Sequence, residues 1–158
     1  MAYQEDVIYV TAESLQKIKE ELNYLKTEKR EEISVKLETA IAQGDLKENA
    51  DYHAAKEEQG FVESRIRNLE DMIRRAKVIQ DKGPSDVVRV GNTVTVVEDG
   101  YDDEDVYTIV GPLDANPSKG LISNESPIGK ALLGAKLGQT VTAVTPGGEI
   151  RFTVKKIA

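Results

Sequence analysis

The chain has 158 residues, 39% of them hydrophobic, with 21 basic and 28 acidic side chains and a formal net charge of −7. The excess of acid argues against independent binding to DNA, and without an apolar run of ~18 residues or an apolar N-terminal stretch we expect neither a membrane span nor a signal peptide. The absence of cysteine excludes disulfides, thiolate metal sites and cysteine nucleophiles, fits a cytoplasmic location, and leaves carboxylates as the main candidates for chemistry.

The composition changes near residue 83. Residues 1–82 hold 14 basic and 18 acidic residues, two glycines and no proline, whereas residues 83–158 hold 7 and 10, with ten glycines and all five prolines. The pair Gly83-Pro84 combines two residues that interrupt regular structure. We therefore expect two domains, 1–82 and 83–158, joined by a short hinge.

The first half predicts two long helices. Thr11 is a candidate N-cap, and Glu13 is well placed in the first turn, near the positive end of the helix dipole. Apolar residues then recur at spacings of three and four, the pattern of a coiled-coil seam. They are Leu15, Ile18, Leu22, Leu25, Ile33, Leu37, Ala40 and Ile41 before the break, and Ala55, Val62, Ile66, Leu69, Ile73 and Ala76 after it. Lys29 interrupts the first stripe, which indicates a bend or a solvated seam position.

The break between the two stripes is confined to residues 44–52. Equal arms extend from it back to Leu15 and forward to Asp81, so the helices can fold into an antiparallel coiled-coil hairpin with arms of about 45 Å. Two helices alone bury one seam and form no second layer. The hairpin therefore either packs against the second domain or another chain, or projects as a rod that carries its tip to a distant place.

The second half predicts a small β-rich domain. Strands are indicated at 87–90, 93–97, 105–110, 140–145 and 149–157, with turns at 98–103 and at Pro146-Gly147-Gly148. Ser126-Pro127 suits the start of a helix over 128–137, because proline is tolerated in the first turn. We expect an antiparallel sheet with one helix on one side, so that the whole chain is α+β.

The predicted tip, 44–52, concentrates carboxylates. Asn49 or Asp51 can cap the second helix, but Asp45 follows a helix C-terminus, where negative charge is disfavoured. Asp45 and Glu48 lie three residues apart, close enough to meet on one side of a tight turn. Carboxylates suit Mg²⁺, which usually takes one or two of them together with waters and a substrate phosphate. Two carboxylates cannot enclose the ion alone, so they could complete a site that another protein supplies.

The residues around this tip resemble the Gre family of transcription elongation factors. The run GDLKENADYHAAKEEQ, Gly44–Gln59, and its continuation Phe61–Ile66 match the family's hairpin tip in order and spacing. Further matches extend over nearly the whole chain: Thr11, Leu15, Leu22, Leu25, Lys26 and Arg30 in the first helix, and Ile122-Ser123, Ser126-Pro127-Ile128 and Thr145–Glu149 in the second half. The resemblance implies an antiparallel α-helical coiled-coil hairpin followed by an FKBP-like domain.

The resemblance implies a factor that acts on bacterial RNA polymerase and is not an enzyme by itself. The family's C-terminal domain sits at the rim of the secondary channel, and its coiled coil reaches the active centre, where the nascent RNA 3′ end of a backtracked complex blocks synthesis. Asp45 and Glu48 are implied to help hold the second catalytic Mg²⁺ and to activate water, so that the polymerase cleaves its own transcript. The implied factor has no cofactor of its own, shares the polymerase's Mg²⁺, and is expected to be monomeric.

The resemblance also assigns contacts to individual residues. Those implied to touch RNA or the active centre are Lys47, Asn49, Tyr52 and Lys56, and those implied to dock on the polymerase are Ser126, Pro127 and Ile128. The docking set has an alternative role in ordinary helix initiation. Ile41 stands where the family commonly has arginine, so we expect a weaker RNA contact there.

Two other functions stay open. A related channel-binding inhibitor would occupy the polymerase without promoting cleavage, but such relatives alter the tip acids that this chain keeps. A peptidyl-prolyl isomerase or chaperone would need an aromatic-lined pocket, for which residues 83–158 offer Tyr101, Tyr107 and Phe152. His53 is expected to be a surface or capping residue, not a general base.

Overall fold

The computed structural model describes residues 6–80 and 83–158. They form two compact units. One unit is Leu15–Arg75, and the other joins the described residues up to Ser14 to those from Ala76 onward. None of the helices in the described part of the chain is long and apolar enough to cross a membrane.

The first unit is a helical hairpin. Its first arm runs through α1 (Ala12–Tyr24), a π-helical segment (Leu25–Lys29) and α2 (Arg30–Ala42), and its second arm is α3 (Ala50–Arg75). Arg65 pairs with Glu21 early in the first arm, and Glu58 pairs with Lys36 late in it, so the arms are antiparallel. The predicted coiled-coil hairpin is confirmed.

The seam between the arms consists of the predicted apolar stripes. Its buried residues are Ile18, Leu25, Ile33, Val62, Ile66 and Leu69, flanked by half-buried Leu15, Leu22, Leu37, Met72 and Ile73. Ala40 and Ala55 are buried towards the loop that joins the arms. The assignment of Ile41 to the seam is wrong: it is 52% exposed, because the neighbouring Ala40 takes the inward position in the last turn of α2.

The π-helical segment explains the interruption at Lys29. Leu25 and Ile33 are both buried, yet they stand eight residues apart, one more than a heptad. One turn with hydrogen bonds from residue i to i+5 absorbs a single extra residue and returns the stripe to the seam. Lys29 ends this turn beside the seam, where its ammonium lies 2.7 Å from the carboxylate of Glu58 on the opposite arm.

Ion pairs join the two arms along the outside of the seam. Within residues 15–75 they are Glu21–Arg65 (2.8 Å), Lys26–Glu70 (3.1 Å), Lys29–Glu58 (2.7 Å), Arg30–Glu63 (2.9 Å) and Lys36–Glu58 (3.1 Å). The hydrogen bonds that Arg65, Lys29 and Arg30 donate lower the pKa of Glu21, Glu58 and Glu63, respectively, below the ordinary value. These groups are partly or fully exposed and are screened by solvent, so each pair stabilises the hairpin modestly.

The second arm ends earlier than predicted. The predicted end, Asp81, lies outside the described residues, but α3 already stops at Arg75 and Ala76–Val78 forms the strand β2. This strand pairs in parallel with β1 (Ile8–Val10), and the ladder continues with the amide of Ile79 donating to the carbonyl of Val10 at 2.8 Å. Pairing with a distant strand therefore replaces the last helical turns.

An aspartate fixes the start of α1. The hydroxyl of Thr11 accepts a hydrogen bond from the amide of Ser14 at 3.1 Å, which confirms Thr11 as the N-cap. Asp114 accepts from the amide (2.9 Å) and hydroxyl (3.0 Å) of Thr11 and from the hydroxyl of Ser14. Nearby, any Cβ at Gly111 would collide with the carbonyl of Tyr9. This glycine therefore lets the N-terminal strand lie against the loop that begins at residue 111.

The second unit contains a five-stranded sheet. Its strands are β3 (Thr93–Glu98), β4 (Glu104–Val110), β5 (Leu121–Ser123), β6 (Thr140–Thr145) and β7 (Gly148–Ile157), in the order β5-β4-β3-β7-β6. Three of the pairings are antiparallel, as predicted, but β5 runs parallel to β4. A three-residue strand such as β5 carries too little alternation to be read from sequence.

Two predicted elements differ in extent. Residues 87–90 are not a strand but make one bridge, from Val87 to Lys136, because the backbone of Val88 pairs with Gly134 and Ala135 in the loop after the helix. The helix α4 spans only Pro127–Leu132. It stops early because Gly134 adopts a left-handed φ of 79° and its amide donates to the carbonyl of Val88.

One face of the sheet, together with α4, forms the core of this unit. Val94, Val96, Phe152 and Val154 are buried against Leu132 of α4, which is fully enclosed. The cross-strand neighbours Val141 and Phe152, and Ala143 and Ile150, share this inner face. The α+β class expected from the sequence is confirmed.

Candidate functional site at the hairpin tip

The tip loop, residues 43–49, presents two of the predicted site residues together. Asp45 and Glu48 are exposed and line one surface concavity of 360 Å³, along with Asp51 in the first turn of α3. Gly44 permits the sharp reversal after α2 because it adopts a φ of 120°. The fold thus brings the two acids to one side of the turn.

The oxygens of these two acids are largely unengaged. Asp45 accepts one hydrogen bond, from the backbone amide of Lys47 at 3.0 Å. The carboxylate of Glu48 forms no hydrogen bond or ion pair with any residue in 6–80 or 83–158. Both side chains therefore keep oxygens available for a ligand outside the chain.

The donor set fits part of a magnesium site. Carboxylate oxygens are the hard ligands that Mg²⁺ prefers, and protein sites often supply only one or two of them. No group of three or more acidic or histidine side chains in the described part of the chain could hold a metal by itself. Asp51, which the sequence analysis treated only as a possible cap, is the third carboxylate of the concavity. The tip can contribute ligands, but it does not form a complete site.

Asn49 joins the two helices at the tip. Its side-chain oxygen accepts a hydrogen bond from the amide of Tyr52 at 3.0 Å, so Asn49, and not Asp51, caps α3. Its side-chain nitrogen donates to the carbonyl of Ala40, in the last turn of α2, at 2.6 Å. The oxygen and the nitrogen of the amide thus each form one hydrogen bond within the hairpin.

The two aromatic residues of the tip pack on each other. The rings of Tyr52 and His53 meet edge-to-face, with centroids 5.6 Å apart. The Nε2 atom of His53 lies 3.2 Å from the carbonyl of Lys47, so this nitrogen donates. The ring of His53 thus supports the loop while its side chain stays exposed, in line with the expected surface or capping role.

The two basic residues nearest to the acids in the chain, Lys47 and Lys56, are exposed. The ammonium of Lys47 contacts no acid in the described part of the chain, and that of Lys56 donates to Gln59 at 3.1 Å. Lys36 is paired with Glu32 on α2 and with Glu58 on α3. Positive charge that no acid pairs with in the described part of the chain therefore remains at both Lys47 and Lys56.

The predicted docking residues lie in the other unit. Ser126 caps α4, with its hydroxyl accepting from the amide of Gly129 at 3.0 Å and donating to the carbonyl of Ser123 at 2.6 Å. Pro127 begins the helix and is exposed, whereas Ile128 packs against the core. The predicted helix start is confirmed, and Pro127 is the member of the set with a free surface.

The aromatic side chains that an isomerase pocket would need are dispersed. Tyr101 is 64% exposed in the turn between β3 and β4, whereas Phe152 is buried in the core. Tyr107 contacts Phe152 edge-to-face at 6.3 Å from the inner side of the sheet. These positions give no support to a prolyl-isomerase site.

Comparison with known proteins adds independent information. Two family models match: Transcription elongation factor, N-terminal, over residues 8–78, and Transcription elongation factor, GreA/GreB, C-term, over residues 83–158. Transcription elongation factor GreA of Bacillus subtilis is 53% identical over 98% of this chain and 99% of its own length. GreA of Bacillus velezensis is 50% identical with the same coverage.

Among solved structures, GreA factor homolog 1 (Gfh1) of Thermus thermophilus is 28% identical, with 98% of this chain and 99% of that one covered and a TM-score of 0.43. The family models together match nearly all of the described residues, and the sequence relatives match end to end. The resemblance carried by the tip motif is confirmed, and the chain belongs to the GreA/GreB family of transcription elongation factors.

Proposed function

We propose that this elongation factor binds bacterial RNA polymerase, inserts its hairpin into the secondary channel and stimulates the polymerase's own cleavage of backtracked RNA. The observation that carries the proposal is the pair of exposed carboxylates, Asp45 and Glu48, which share one concavity at the tip and keep free oxygens. A partner that elongates RNA also fits the name of the relatives, transcription elongation factor. Such a partner places the factor in the cytoplasm.

The two acids would complete a Mg²⁺ site whose remaining ligands belong to the polymerase. When bound, the ion would stabilise charge on the scissile phosphate and make a bound water more acidic. Glu48, whose carboxylate has no partner in the described chain, is suited to accept a proton from that water. Asp45 is oriented by the amide of Lys47. The factor has no cofactor of its own and is not an enzyme in isolation.

The proposal also assigns contacts with RNA and polymerase to other predicted site residues. Of the residues predicted to contact RNA, Lys47, Tyr52 and Lys56 would meet the nascent RNA 3′ end, whereas the exposed Pro127 would contribute to docking with Ser126 and Ile128. The net charge of −7 disfavours independent binding to DNA, so RNA is reached within the polymerase complex. The factor would act there as a monomer.

The proposal is tested by measuring how fast backtracked transcription complexes cleave their RNA in the presence of Mg²⁺ and the factor. The double variant Asp45→Asn/Glu48→Gln should lower the stimulated rate by about a hundredfold, the usual loss when a charge-stabilising group is removed from a reacting centre. It should still bind the polymerase, because neither carboxylate supports the fold. Glu38→Gln, an exposed acid on α2 away from the concavity, is the matched control and should retain full stimulation.

Two results would contradict the proposal. The first is a wild-type factor that binds the polymerase without accelerating cleavage, which is the behaviour of a channel-blocking inhibitor. The second is a double variant that stimulates as well as the wild type, which would remove the two acids from the mechanism.

A further inference from the structure

The tip loop is held by a closed set of hydrogen bonds in which Asn49 is central. Its amide connects the carbonyl of Ala40, at the end of α2, to the amide of Tyr52, at the start of α3. Ala40 is buried, so the anchor on α2 is fixed by the seam. The one side chain thereby caps the exit of one helix and the entry of the next.

A second set of contacts connects this anchor to the acids. The amide of Lys47 donates to Asp45 at 3.0 Å, and the carbonyl of Lys47 accepts from His53, which lies in the first turn of α3. Glu48 stands between Lys47 and Asn49 in the chain. The backbone that carries Glu48 is therefore fixed on both sides, by His53 through Lys47 and by Asn49 directly.

We propose that Asn49 is a positioning residue whose bond to Ala40, beyond its helix cap, holds Asp45 and Glu48 in their productive arrangement. This inference rests on the proposed function of the two acids. One N–H and one lone pair of the amide are engaged inside the hairpin, so the proposed role acts through the backbone of the loop, in place of the RNA contact that the family resemblance implies for Asn49. Displacing a reacting group by about 1 Å can cost about a hundredfold in rate, which makes a rigid loop necessary.

Two different substitutions of Asn49 distinguish its bond to Ala40 from its bond to Tyr52. Asn49→Ser keeps a side-chain oxygen suited to the cap but is too short to reach Ala40, and it adds no charge beside the acids. Asn49→Ala removes both bonds. Asn68→Ala, an exposed asparagine on α3, is the matched control.

Two readouts are measured on the full chain. The first is the backbone order of Lys47 and Glu48 in the free protein by ¹⁵N relaxation. We expect an order parameter near ~0.85 in the wild type and the Asn68→Ala control and below ~0.6 in both Asn49 variants. The second is transcript cleavage as a function of factor concentration. Both Asn49 variants should lose about tenfold or more in maximal rate with an unchanged half-saturating concentration.

The outcomes are distinct. If Asn49→Ser keeps the wild-type maximal rate, the cap alone suffices and the inference is overturned. If the loop stays rigid in Asn49→Ser while cleavage falls, Asn49 contacts RNA or polymerase directly, which also overturns it. If the wild type fails to stimulate cleavage, the proposed function fails, whereas the relaxation data still decide whether Asn49 holds the loop.

Discussion

The shaft of the hairpin comprises residues 15–42 and 54–75, and its tip comprises residues 43–53. Both regions carry acidic side chains, but they differ in whether a basic side chain pairs with those acids. On the shaft, Glu21, Glu58 and Glu63 each accept hydrogen bonds from a basic side chain of the other arm, and their pKa values fall. At the tip, Glu48 has no such partner in the described chain. The acidic side chains of the shaft thus hold the two arms together, whereas the carboxylate of Glu48 at the tip stays available to a ligand.

This difference shows how one hairpin can be both stable and reactive. The shaft is stabilised by a buried seam and by paired charges outside it. The tip is organised by neutral groups, chiefly the amide of Asn49, so its carboxylates are not needed for folding. Substitutions in the two regions should therefore separate stability from activity.

The largest effect on stability is expected in the seam. Leu69 is 0% exposed, and Leu69→Ala should lower the free energy of unfolding by about 2–5 kcal/mol because it leaves a cavity between the arms. Thermal unfolding followed by circular dichroism measures this loss. A change below ~0.5 kcal/mol would mean that the ion pairs, and not the seam, stabilise the shaft.

A matched pair of substitutions compares the two kinds of acid directly. Glu48→Gln at the tip should lower the maximal rate of transcript cleavage by roughly ten- to a hundredfold and leave the melting temperature unchanged. Glu58→Gln on the shaft removes the partner of Lys29 and Lys36 and should lower the melting temperature with the maximal rate retained. The reverse pattern in the two assays would refute the division of roles.

The π-helical segment offers a test of how the shaft keeps its register. Deletion of Thr27 brings Leu25 and Ile33 to heptad spacing, so the segment should become ordinary α-helix and the stability should change by less than about 1 kcal/mol. Deletion of Glu20 is the control, since it rotates the following seam residues by about 100° and should unfold the hairpin. Equal damage from both deletions would argue against the π-bulge.

The smallest effect concerns pH. The pKa of Glu58 is lowered from its ordinary value of 4.5 by hydrogen bonds from Lys29 and Lys36. A depressed pKa in the folded state contributes stability that is present above the unfolded value and is lost as the pH falls through the folded one. The melting temperature should therefore be steady down to about pH 4.5 and fall below it, and Glu58→Gln should make that fall shallower.

Periodicity was enough to predict the hairpin, because the stripe from Leu15 to Ala40 repeats over several turns and meets a second stripe of the same kind. Periodicity did not predict where the second arm ends. The spacing of Ile73, Ala76 and Ile79 fits one face of a helix, and only the non-local pairing of Ala76–Val78 with β1 makes these residues a strand.

The site was partly predictable for the same reason. Carboxylates crowded into a short loop identify Asp45 and Glu48, and the motif around them identifies the family. The helix cap by Asn49 was one of two predicted alternatives, but its bond to Ala40 could not be foreseen, because that acceptor depends on how the arms are paired. The bond from Thr11 to Asp114, 103 residues away, was out of reach of any local pattern.

The choice of side chains in the seam also affects the distance between the two packed helices. Leucine, isoleucine and valine separate the arms along most of the shaft, whereas the buried residues closest to the loop are Ala40 and Ala55. The distance between packed helices depends on the side chains at their contact, so an alanine pair draws the two backbones closer together. We therefore expect the two helix axes to lie closest together next to the carboxylates that the loop presents.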